Sequence, residues 1–266
     1  MAKKITDLTT LTEIAETDIT SIVDISDTTQ AATGTTKKTT LVASFLSTGW
    51  IPANGTWTYA SATTITVPSG AASKYQKGDK IRLKQGGAYK YYYIITVADT
   101  LLTVTGGIDY TVANAAITDN YYSHIENPLG FPDWLNWTPT ITVDSGGTAP
   151  TYTSAFVNAF KLTGRTCYIL GRWGNESGGT AGAGTGILRF TLPVTITASS
   201  IFYTVIGYPS VGSGFVYEAG ETTNSVVLRF SSYNQCSFEN YGMVAIIGNS
   251  QSTTARHISF NGFYPL

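Results

Sequence analysis

Charged side chains are scarce in this sequence, and several functional classes need them. Asp, Glu, Lys and Arg make up 12% of the 266 residues, about half the share of roughly 25% that ordinary globular domains carry. The formal net charge at pH 7 is −1. Because nucleic-acid binding needs clustered Lys and Arg to neutralise phosphates, we expect no nucleic-acid partner. The polar surface must come from Thr, Ser, Asn, Gly and Tyr.

Cysteine and histidine are equally rare, with two of each in the chain. Cys167 and Cys236 are too few and too far apart for a disulfide framework or a zinc site. Each lies in a strand-like run, so we predict buried free thiols. His124 and His257 belong to no nucleophile motif, and the sequence has no G-x-S-x-G, no H-E-x-x-H, no P-loop and no EF-type loop. We therefore predict that the protein is not an enzyme and that it has no catalytic residue, no metal and no cofactor.

Long apolar runs are missing too. A membrane-spanning helix needs about 20 consecutive apolar residues, and no segment approaches that length. The opening residues, Met1 to Asp7, carry charge and are followed by no apolar run, so we expect neither a signal peptide nor membrane insertion. If the protein works outside a cell, it must leave by a route other than secretion. One such route is release as part of a particle that is assembled in the cytoplasm.

What the sequence does contain is a repeated strand pattern with a period of two. The clearest run places five apolar residues at alternate positions: Leu188, Phe190, Leu192, Val194 and Ile196. Turn signals such as Asn54-Gly55, Gly86-Gly87 and Gly106-Gly107 separate the runs. Short strands at this spacing predict an all-β fold of sandwich-like or barrel-like modules.

One stretch is locally basic, with Lys or Arg at six positions: Lys74, Lys77, Lys80, Arg82, Lys84 and Lys90. Lys80, Arg82 and Lys84 alternate with Ile81 and Leu83. The pattern favours the solvated face of a strand pair over a binding site.

Three regions follow from composition. Residues 1–48 have too few large apolar side chains for a core of their own, so we predict an extended N-terminal arm that orders against something else. Residues 49–137 form a middle β-module that ends in a Pro/Gly connector, from Asn127 to Trp134, unsuited to a regular strand. Residues 138–266 form a second β-module. The apolar stretch from Ile258 to Leu266 predicts a final strand tied into this module.

Aromatic residues provide the best functional lead. Sugars bind by ring stacking and by hydrogen bonds, which a Tyr-rich, Asn-rich and Thr-rich surface supplies. Most aromatics should be core or interface anchors, since each buries roughly 150–250 Å². Aromatics beside loops are the ones most available to a ligand. The candidate glycan contacts are therefore Trp173, Asn175, Tyr208 and Tyr217. Hydrolysis of a glycan needs two carboxylates across a cleft, and no acidic pair is framed by aromatics in the sequence.

Two segments resemble parts of a known family. The run from Ile5 to Leu11 (ITDLTTL) and the run from Ile22 to Lys38 (IVDISDTTQAATGTTKK) are similar to the N-terminal segment of many tailed-bacteriophage virion proteins. The stretch from Asn127 to Trp137 resembles a junction in such proteins. The resemblance implies that residues 1–48 attach the protein to the virion, and it makes five residues candidate anchors: Ile22, Val23, Ile25, Lys37 and Lys38.

The same resemblance implies a homotrimer in the virion, bound to other virion proteins through residues 1–48 and displaying its C-terminal module. No long heptad run occurs, which favours a short appendage over a long fibre. A short tail fibre that binds host-surface glycan is the first expectation. A capsid-decorating head fibre without a receptor role is the alternative, and a small polysaccharide-degrading tail spike is the second alternative.

Overall fold

The chain divides into two compact units, residues 1–50 and residues 51–266. A computed structural model describes residues 19–24, 29, 35–40, 48–143, 147–149, 151–152, 154–175, 187–196, 210–218, 224–232, 235–240 and 256–266.

The first unit contains an antiparallel strand pair, β1 (Ile19–Asp24) and β2 (Thr35–Thr40). Among the candidate anchors, Ile22 lies opposite Lys37 and Ser21 lies opposite Lys38. Val23 lies in β1 as well. Ile25 lies outside the described residues. The pairing therefore places four of the five candidates on one two-stranded ribbon.

The second unit is nearly all β, with two antiparallel sheets of which one is a half-barrel. The first sheet has seven strands in the order β3-β9-β6-β7-β8-β5-β4. These strands are β3 (Ile51–Pro52), β4 (Thr58–Ser61), β5 (Thr64–Thr66), β6 (Lys80–Gln85), β7 (Ala88–Ala98), β8 (Leu101–Thr105) and β9 (Thr118–Ser123). A four-residue helix, α1 (Ala71–Lys74), lies between β5 and β6.

The second sheet has nine strands in the order β10-β12-β13-β18-β15-β16-β17-β14-β11. They are β10 (Leu135–Asn136), β11 (Ile141–Val143), β12 (Ser154–Thr163), β13 (Thr166–Asn175), β14 (Leu188–Thr191), β15 (Ser210–Glu218), β16 (Asn224–Ser232), β17 (Gln235–Asn240) and β18 (Arg256–Pro265). The last strand, β18, pairs with β13 on one side and with β15 on the other. The predicted final strand is thus confirmed.

Strand β7 serves two hydrophobic cores. Successive side chains of a strand point to opposite faces of its sheet, so Tyr92 and Tyr93 point in opposite directions. Tyr92 packs in the core of the seven-stranded sheet with Ile81 and Leu102. Tyr93 packs in the core of the nine-stranded sheet, where its ring centroid lies 6.3 Å from that of Phe160. The two sheets therefore meet along one face of β7.

The alternation from Leu188 to Ile196 is confirmed in burial but not in strand length. All five apolar side chains are buried. However, β14 ends at Thr191, and the chain to Ile196 is irregular. Pro193 has no N–H to donate to a neighbouring strand, which explains why the ladder stops there.

Both thiols are free and buried, as predicted. Burial raises the pKa of Cys167 to about 12, and it raises the pKa of Cys236 as well. At neutral pH each sulfur is therefore a protonated thiol without access to solvent.

This burial predicts how the thiols react. Iodoacetamide attacks the thiolate, so at about pH 8 the native chain should be labelled at neither cysteine, whereas the urea-unfolded chain should be labelled at both. Mass spectrometry of tryptic peptides measures the two sites separately. Rapid labelling of Cys167 or Cys236 in the native chain would contradict the burial.

Candidate functional site

The predicted glycan contact Trp173 is a core residue, so that prediction is wrong. Its side chain is 2% exposed and packs edge-on against Phe260 and Phe190, at centroid distances of 5.0 and 5.5 Å. Its indole N–H donates to Oδ1 of Asn158 at 2.5 Å. A ring held in this way contributes to the core and is not accessible to a ligand.

Two other candidates lie near one another on the backbone. Asn175, at the end of β13, pairs with Arg256, and Tyr217 of β15 pairs with His257. Because Arg256 and His257 are neighbours on β18, these two candidates flank the same end of that strand. Tyr208 lies outside the described residues.

A cavity of about 290 Å³ lies between the connector that follows β9 and the second half of β12. The connector is irregular from His124 to Trp134, as its Pro/Gly content predicts. The lining of the cavity combines aromatic, carboxylate, amide, hydroxyl and ammonium groups. Its residues are Tyr93, Glu126, Asn127, Phe131, Pro132, Asp133, Trp134, Lys161, Leu162 and Thr163.

Aromatic rings form one wall of this cavity, and a buried lysine lies behind them. The ring of Phe131 packs edge-on against Tyr93, with centroids 4.9 Å apart. Lys80 is only 4% exposed, and its Nζ lies 5.5 Å from the Tyr93 ring centroid and 5.9 Å from that of Phe131. Burial lowers the pKa of Lys80, while the carboxylates of Glu126 and Asp79 act in the opposite direction. Lys80 thus places positive charge behind the aromatic wall.

Polar groups and a tryptophan form the rim. The hydroxyl of Thr163 donates to Oε1 of Glu126 at 3.0 Å, which fixes that carboxylate beside β12. Trp134 is 36% exposed, and Nζ of Lys161 lies 5.1 Å from its ring centroid. The same Nζ lies 5.6 Å from the ring of Tyr168 on β13. The rim therefore holds a partly exposed indole beside hydrogen-bonding groups.

The basic stretch of β6 is only partly the solvated face that its sequence predicts. Lys80 is buried, which corrects the prediction for that residue. The guanidinium of Arg82 lies 4.5 Å from the ring of Tyr121 and 5.0 Å from that of Tyr89. Lys84 is half-exposed, and its Nζ lies 3.9 Å from Oδ2 of Asp119. Tyrosines on the neighbouring strands thus cover much of the positive charge.

Trp134 is the candidate contact that the sequence reasoning missed. It has the same signal as Trp173, an aromatic next to residues that break strands, since it follows Pro132 and Asp133 in the connector. Its Pro/Gly content predicts an irregular junction and gives no signal of a binding surface. Glu126 and Asp133 are not predictable as a pair, because six residues separate them and only the bend of the connector brings both to one cavity.

Neither a metal site nor a membrane helix emerges from the described residues. Within those ranges, no group of three or more His, Cys, Asp and Glu side chains is arranged to hold a metal ion. No helix there has the length and apolar character needed to cross a membrane.

No family model, no curated protein and no solved structure matches the chain.

Proposed function

We propose that this chain is a structural protein of a bacteriophage particle, a short trimeric tail fibre that contacts the host surface. In this proposal residues 1–48 attach it to other virion proteins and the β-rich remainder is displayed. The observation that supports it most is the division into a small N-terminal unit, residues 1–50, and a large body, residues 51–266, with two hydrophobic clusters. An attachment segment and a displayed body need that division.

The low charge supports assembly. A chain with 12% charged residues and a net charge of −1 has little electrostatic repulsion between copies. Obligate interfaces bury upward of about 2,000 Å². The described body also exposes large apolar side chains, among them Ile108, Leu129 and Phe263. The head-fibre alternative uses the same architecture with the attachment segment on the capsid.

The spike alternative is favoured by one specific observation. Glu126 and Asp133 line the same cavity, and glycoside hydrolysis uses two carboxylates across a bound sugar. Incubation of the purified chain with host polysaccharide distinguishes the two roles. A sustained release of reducing ends would favour the spike, and unchanged polysaccharide would favour a fibre that only binds.

Deletion of residues 1–48 tests the attachment role. The truncated chain should fold, with a β-type circular dichroism spectrum, and should be absent from purified particles. Cryo-electron microscopy of particles carrying the full chain gives its location. Density at the tail supports the tail fibre, and density on the capsid supports the head fibre. Density at neither place, or normal incorporation of the truncated chain, would overturn the proposal.

A further inference from the structure

We propose that the cavity beneath Trp134 binds one neutral hexose residue of a glycan. This inference rests on the proposed function for its biological role, since it names the class of ligand that a receptor-binding appendage would contact.

The size of the cavity limits the ligand. Ligand sites in proteins range over roughly 300–1,000 Å³, and this cavity, at about 290 Å³, lies at the lower limit. A space of that size fits one sugar ring and excludes a nucleotide or a larger cofactor. The rest of a glycan would extend past the rim.

The hydrogen-bonding groups favour a polyhydroxylated ligand. Glu126 and Asp133 supply acceptors, Lys161 supplies donors, and Asn127 and Thr163 supply both. A ligand whose hydroxyls each donate and accept can satisfy such a mixed set. An apolar ligand would leave these groups without partners, which costs free energy in proportion to their burial.

The indole at the rim supplies the remaining element of sugar recognition. Trp134 is partly exposed, so a ligand can reach its ring. The face of an aromatic ring carries partial negative charge, and the C–H bonds on one side of a pyranose carry partial positive charge. The ring face of a hexose is therefore complementary to the indole, while its hydroxyl edge is complementary to the cavity wall.

The charges favour a neutral sugar over a charged one. The carboxylates of Glu126 and Asp133 are matched by the ammonium groups of Lys161 and Lys80, which lie at the rim and behind the aromatic wall. An acidic sugar would meet two carboxylates. A cationic ligand would compete with Lys80 and Lys161, whose Nζ atoms already lie over the rings of Tyr93 and Trp134.

Saturation-transfer NMR on the purified full chain tests the proposal. The probes are the methyl glycosides of glucose, galactose, mannose and N-acetylglucosamine, with glucuronic acid and glucosamine as the charged comparison. A single hexose makes few contacts, so each probe is titrated to about 20 mM, which detects a Kd on the order of 1 mM or several-fold weaker. At least one neutral probe should bind, and more tightly than either charged sugar.

Variants assign that binding to the cavity. Trp134→Ala should weaken it about tenfold, since an aromatic contact of this kind is worth about one such factor. Asp133→Ala, at an exposed position, should weaken it as well. The matched control is Phe215→Ala, which removes an aromatic ring that is 58% exposed on β15 and should leave the affinity unchanged.

Several results would overturn the inference. These are the absence of binding by every neutral probe, a preference for a charged sugar, or an affinity that neither Trp134→Ala nor Asp133→Ala changes in folded protein. The titration needs no virion, whereas the location of the chain is measured on particles. A chain found on the tail that binds no sugar would overturn the sugar site alone, and a sugar-binding chain absent from particles would overturn the virion role alone.

Discussion

Gly107→Ala is expected to lower the free energy of unfolding by about 4 kcal/mol. Gly107 has φ +62°, a left-handed conformation that costs an L-residue roughly 1–2 kcal/mol. A Cβ there would also lie closer than 3.0 Å to the carbonyl oxygen of Asn136 and 3.1 Å from the ring of Phe160. Such overpacking adds about 1–3 kcal/mol. The loop after β8 would have to move away from β10, which belongs to the other sheet.

Gly86→Ala is the matched control for this prediction. Gly86 has φ +59°, almost the same conformation, but a Cβ there meets nothing within 4 Å. Gly86→Ala should therefore lower the free energy of unfolding by about 1 kcal/mol, the conformational cost alone. Urea unfolding followed by tryptophan fluorescence gives both values. Equal losses in the two variants would mean that Gly107 does not lie as close to Asn136 as the structure places it.

Trp173→Ala should cost about 4 kcal/mol, because removal of a buried Trp or Phe side chain typically costs 3–5 kcal/mol. The indole fills the centre of the core of the nine-stranded sheet, where Phe190 and Phe260 pack against it and against each other, the latter pair at a centroid distance of 4.9 Å. The change also leaves Asn158 without its indole donor. Urea unfolding measures the loss.

Phe215→Ala is the control for this prediction, because it removes an aromatic ring from the surface of the same sheet. Its ring is largely exposed, so its removal should change the free energy of unfolding by less than about 0.5 kcal/mol. If Trp173→Ala were as mild as this control, Trp173 would be a surface residue and the original glycan-contact prediction would regain its basis.

The strand pattern was predictable because alternation is a local property. Ile81 and Leu83 are buried as their spacing indicates, and so are Leu188 and Phe190. Each of these positions depends only on the pleat of its own strand and on one buried face. The extent of a strand was less predictable, since β14 ends at Thr191 although the apolar alternation continues past Pro193.

The two tryptophans show why the candidate site was harder to predict. Trp173 and Trp134 both lie next to residues that break strands, and their immediate neighbours do not distinguish them. Trp173 is buried because β18, some 85 residues later in the chain, pairs with β13 and brings Phe260 against it. Trp134 stays partly exposed at the rim of a cavity that β12 completes. Exposure is set by distant pairing, which adjacent residues do not encode.

The two-residue periodicity and the Pro/Gly content determined by themselves that this is a nearly all-β chain with buried thiols and an irregular connector from Asn127 to Trp134. Those properties follow from composition and from short-range backbone geometry. Only the tertiary structure decided that β7 serves two cores, that Lys80 is buried behind Tyr93, and that the connector bounds a polar cavity. The physical reason is that these features need contacts between segments far apart in sequence, which form only once strand order and register are set.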